Sequence, residues 1–87
     1  MSDEAVYRVT FETVSATNHP QYYRGEKPIV PADQVPDGHW HPVERTGAGI
    51  HAQYRGLLRL VEQGELVRNV RLFKGTTSKI SWREVSL

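Results

Sequence analysis

The chain has 87 residues, with 11 Lys and Arg against 10 Asp and Glu for a net charge of +1, and it has no cysteine. That length fits one domain with one modest core. The near-neutral balance gives no global attraction to nucleic acid or an acidic membrane, and the missing thiols exclude disulfide frameworks, thiolate zinc sites and thiol catalysis. Met1-Ser2-Asp3-Glu4 is acidic rather than secretory, and no apolar run approaches the roughly 20 residues of a membrane span, so a cytoplasmic location is expected.

Residues 5–15 open with Tyr7, Val9 and Phe11 alternating with Arg8, Thr10 and Glu12. A period of two in β-branched and aromatic residues predicts a strand with the first set facing the core. Residues 16–38 hold Pro20, Pro28, Pro31 and Pro36, which remove backbone donors and fix φ, so a long loop is expected with Tyr22, Tyr23 and Ile29 folding it back onto the core. Residues 39–44 read as a short strand that Pro42 confines to an edge.

Residues 49–63 carry Ile50, Tyr54, Leu57, Leu58 and Val61 on one face of a helix. Thr46 is the expected N-cap and Gly64 the left-handed terminator, with Leu66 supplying the accompanying apolar contact. Gly56 in the helix interior costs about 1 kcal/mol relative to alanine, which a close approach to a sheet would explain. Residues 66–73 and 79–85 read as a hairpin. In it Leu66, Val70 and Leu72 share one face, Val67 and Phe73 lie on the other, and Ile80 and Trp82 share a face of the second strand. The whole predicts one α+β domain over residues 1–87, in the order β-loop-β-α-β-β, with one amphipathic helix packed on a three- to four-stranded, mainly antiparallel sheet.

Three patterns bear on chemistry. His39-Trp40-His41 puts two imidazoles on one side of a strand, and with His51, His19 or Glu44 they make a weak zinc candidate. Gly47-Ala48-Gly49-Ile50-His51-Ala52 fits G-x-G-x-x-A at a helix start, but a dinucleotide fingerprint needs a parallel βαβ unit that a C-terminal hairpin does not supply. From Val43 onward eight cations stand against four acids, a local +4, and Arg55, Arg59, Arg68 and Arg71 form the candidate basic surface for nucleic acid. Nothing resembles a nucleophile elbow, so no reaction is assigned and no cofactor is implied. The stretch Val35-Pro36-Asp37-Gly38-His39-Trp40, with a helix ending in Leu60-Val61-Glu62, is similar to a segment of the MbtH-like accessory proteins. The similarity stops before the hairpin, which those proteins lack, and no family is assigned from it.

The leading expectation is a small non-catalytic module that binds another protein, with self-association through a strand edge as a corollary. Its expected contact residues are Phe73, Val67, Arg71, Arg55 and Arg59, with Tyr22, Tyr23 and Arg24 as a second patch, because aromatic and arginine side chains supply anchors at interfaces. Nucleic-acid binding through the four arginines is the competing expectation, and a histidine-liganded metal site the third.

Overall fold

The computed structural model describes residues 4–78 and 81–86. Strand β1 (Ala5–Thr13) is central. Two short strands of the Pro-rich segment, β2 (Tyr23–Arg24) and β3 (Lys27–Pro28), form their own ribbon. Strand β4 (His41–Thr46), helix α1 (Ile50–Glu62), strand β5 (Val67–Thr76) and strand β6 (Arg83–Val85) follow. The main sheet has the order β4-β1-β5-β6, and every neighbouring pair is antiparallel. The α+β class and the helix-on-sheet architecture are therefore as expected. Because β4 and β5 both run against β1, they run parallel to each other, and α1 carries the chain between them across the central strand. Among the described residues no helix is long and apolar enough to cross a membrane.

Element ends differ from the sequence reading for local reasons. His39 belongs to a 3-10 turn (Asp37–His39), so the second main strand begins only at His41 and then runs on to Thr46. Thr46 ends that strand and caps nothing. Gly49, at φ 76°, is the N-cap, and its carbonyl accepts the first helical bond from the Gln53 amide at 3.0 Å. At the other end Gly64 has φ 79°; its N–H donates to Val61 O, and the Glu65 N–H donates to Leu60 O. This crossed pair satisfies the last carbonyls as a left-handed glycine allows. Leu66 is buried against Val14, Val35 and Trp40. The first predicted hairpin strand runs on to Thr76; of the second, Lys79 and Ile80 lie outside the described residues, and β6 occupies only Arg83–Val85.

Among the described residues two clusters replace the single expected core. Under α1, Val9, Ile50 and Leu72 are sealed by Tyr7, Tyr54, Leu57, Val70 and Val85. At the far end of the sheet Val14, Val35, Trp40 and Leu66 are sealed by Tyr22, Tyr23, Val30 and Ala32 of the Pro-rich segment. That segment is thus an ordered lid, although Ile29 stands exposed rather than folded inward. The molecule is 52 Å long and 19–22 Å across, so one central cluster would not reach both ends.

A bulge explains which residues face which way. Thr10 pairs with Arg71 and Glu12 with Arg68, so Asn69 and Val70 together oppose Phe11. Asn69 takes the left-handed conformation at φ 54°, one of the few non-glycine residues that does so readily. The bulge resets the alternation: Arg68 and Arg71 end on the same side although three positions apart, and Val67 joins Val70 and Leu72 rather than Phe73. Val67 is 8% exposed, so the expected contact role for it is withdrawn.

Candidate protein-interaction site

The sheet face opposite α1 gathers Arg8, Thr10 and Glu12 of β1 with Arg71 and Phe73 of β5 and Glu44 of β4. The Arg8 guanidinium lies over the rings of both Phe73 and Trp82, 4.7 and 4.8 Å from their centres. Trp82 in turn covers Gly75, where an added Cβ would meet the indole at 3.3 Å. Phe73 is therefore half-buried in a local stack rather than presented as a free anchor.

Charges on this face are largely matched. Arg8 approaches Glu44 at 3.7 Å and Arg71 approaches Glu84 at 4.0 Å. Arg68 donates to Glu12 at 2.6 Å and to Asp37 at 3.0 Å, with its guanidinium 4.3 Å from the Trp40 ring centre. Glu12 also accepts from the Asn69 amide at 2.8 Å. Arg55 and Arg59 project from the helix on the other side of the sheet, exposed. The four arginines proposed as one basic surface are thus split between two faces, and one of them is held by two carboxylates.

The tyrosine patch is similarly occupied. The Tyr23 hydroxyl donates to Val14 O at 2.8 Å, and Tyr22 shares a 2.8 Å hydrogen bond with His39 Nδ1, while Arg24 is exposed. His19 stacks on His39 at 4.2 Å between ring centres, with His41 at 6.2 Å. His51 packs against Tyr7 at 4.2 Å. Tyr7 and the Thr13 partner of His41 are six residues apart on β1, about 20 Å along the strand. His39, His41 and His51 therefore do not converge, and no group of three or more ligating side chains that could hold a metal ion occurs among the described residues. Gly47 and Gly49, at φ 117° and 76°, turn the chain from β4 into α1, and β1 lies between the two strands that a dinucleotide fold would place side by side.

Among the described residues four groups titrate away from their ordinary values: burial raises Tyr23, the hydrogen bond to Glu12 raises Arg68, and Glu12 and His19 are lowered. The Arg68 hydrogen bond holds Glu12 low, against the opposing effect of burial. Desolvation, then the nearby His39 and His41 charges, hold His19 low. Both depressions have the same sign: stability is present above the ordinary value and is lost as pH falls through the lowered one. Acid is expected to weaken the fold in a histidine step and then a carboxylate step. Urea midpoints taken from about pH 8 to about pH 3 would show both, and Glu12→Gln should flatten the lower one. An unchanged acid limb in that variant would show that the Arg68 pair contributes nothing.

The surface that sequence reasoning missed lies beside the helix. Helix α1 packs on β5 and β1 and leaves the inner side of β4 uncovered. Between them runs an open groove lined by Phe11, Arg45, Gln53, Gly56, Leu57 and Leu60. The close approach expected at Gly56 is absent: a Cβ there would meet nothing within 4 Å. Leu60 in the groove wall is exposed, as are Val61 and, on the far flank of the helix, Leu58. Glu44 and Glu12 point to the opposite face, so no carboxylate lines the groove. Arg45 sits with its guanidinium 5.9 Å from the Phe11 ring centre, and Arg59 follows Gly56 at i+3 on the solvent flank. Among the described residues neither makes an ion pair. The signal available in advance was Gly56 itself, a helix-interior glycine whose cost no internal contact offsets. Compared with family models, curated proteins and solved structures, the chain matches none.

Proposed function

We propose that the protein is a non-catalytic module that binds another protein through the groove between α1 and β4. The observation that supports this reading is an open apolar groove, floored by a glycine with empty space above it and walled by Phe11, Leu57 and the exposed Leu60. Contiguous exposed apolar surface of this kind marks interaction sites on soluble domains. The opposite sheet face offers less, since its arginines and carboxylates already satisfy one another.

A photo-crosslinking residue placed at Leu60, and separately at Phe73, in the full chain expressed in its own cell tests the reading. The Leu60 position is expected to give a protein adduct of defined mass that Gly56→Leu abolishes. The Phe73 position is expected to give none. Adducts to nucleic acid alone, or adducts at Phe73 and none at Leu60, would overturn the assignment.

A further inference from the structure

We infer that the groove takes an extended, acidic segment of the partner, added as a further strand along the open edge of β4. The inference rests on the protein-binding reading above and names the occupant of that same groove. Three observations support it. First, β4 is an edge strand, and its unpaired stretch is defined. Pro42 has no N–H and closes the beginning of the edge, as prolines do on strands that must not pair freely. Residues Val43–Thr46 remain, and these are the residues whose β1 partners, Phe11 to Arg8, run alongside α1. The other edge, β6, is only three residues long.

Second, the geometry suits a strand rather than a helix. A chain paired with β4 extends the sheet outward by one strand, about 5 Å further on, and its alternate side chains point to the α1 side. They would enter the space over Phe11 and Gly56, against Leu57 and Leu60. Gly56 leaves that space open at the cost to helix stability noted above, and substitution by alanine is expected to raise stability by about 0.5–1 kcal/mol while narrowing the groove.

Third, charge selects the partner. The groove carries Arg45 on its strand side, and Arg59 stands on the solvent flank of the helix one turn from Gly56; neither is paired among the described residues, and no carboxylate lines the groove. A second copy pairing edge to edge would bring the same cations into the joint, so like charge argues against self-association here. Only every second residue of the added strand faces α1, so acidic and apolar residues at successive groove-facing positions satisfy both the cations and the apolar floor, while uncharged residues between them avoid Glu44 on the other face.

The test uses a labelled peptide of about eight residues with threonine at every second position and valine and glutamate taking turns at the positions between, so that one face carries both, together with its lysine counterpart and an N-methylated version that keeps the side chains but cannot complete the backbone ladder. The glutamate peptide is expected to bind with a salt-dependent affinity and to slow hydrogen exchange of β4 amides. Arg45→Gln and Arg59→Gln should each weaken it about fivefold, and Gly56→Leu should abolish it. The lysine and N-methylated peptides should not bind. Equal binding of the N-methylated peptide would overturn strand addition, equal binding of the lysine peptide would overturn the acidic class, and a concentration-dependent dimer sealed at β4 in sedimentation would replace the partner by a second copy. If no peptide binds while the Leu60 adduct persists, the occupant named here is wrong and the groove assignment stands; if both are lost, the groove assignment falls too.

Discussion

Replacing Trp40 by alanine is expected to cost about 3–5 kcal/mol, the range for removing a buried aromatic whose surroundings cannot close in. Trp40 is 7% exposed, packs with Val14, Val35 and Leu66, and donates its indole N–H to Val35 O at 3.3 Å. Arg68 lies over its outer face. The ring is the piece that joins the Pro-rich lid to the sheet, so its loss removes area, a hydrogen bond and a cation–π contact together. A domain of this size has about 4–13 kcal/mol in total, so the loss is a large share of it. Urea unfolding followed by circular dichroism measures it. A loss below about 1 kcal/mol would mean that the lid is not packed on the sheet. Trp40→Phe separates the contributions, since it keeps most of the bulk and loses the donor, for about 1 kcal/mol.

Leu72→Ala is expected to cost about 2–5 kcal/mol and to loosen the helix. Leu72 is 0% exposed and touches Val9 and Ile50 in the cluster beneath α1. It lies opposite Val9, whereas Trp40 adjoins Val14 on the other side of the sheet, about 16 Å along β1. Sites that far apart and without shared partners add. The double variant would therefore lose about 5–10 kcal/mol and is expected to be unfolded at room temperature. The Leu72 variant alone should lose helical signal at a lower urea concentration. A normal midpoint would show that the helix is not held by this cluster.

Long-period signals carried most of the architecture. The alternation of Tyr7, Val9 and Phe11 and the helical spacing of Ile50, Tyr54 and Leu57 depend on burial of one face, and burial dominates local preference. What escaped was set by single residues with special backbone geometry. Asn69 adopts a left-handed conformation that its type allows but does not demand, and that one choice turned Val67 inward and brought Arg68 beside Glu12. The lid escaped for another reason: prolines forbid long elements but leave short turns and ribbons open, so its packing depends on tertiary partners such as Trp40. The candidate groove was only half legible. Gly56 and the leucines were visible, but the gap beside β4 arises from where the helix docks, which no local pattern encodes.

The irregularity at Asn69 acts in the β5–β1 ladder as an edge dislocation does in a crystal. Below it Leu66 serves the lid and Val67 the helix side; above it Val70 and Leu72 serve the helix side and Phe73 the other. Losing one residue elsewhere in β5 would invert every side chain up to the fault, whereas losing one at the fault would merely straighten the strand. Length changes of a single residue are therefore tolerable in β5 at one place only, and evolution of its two unlike surfaces must otherwise proceed in steps of two.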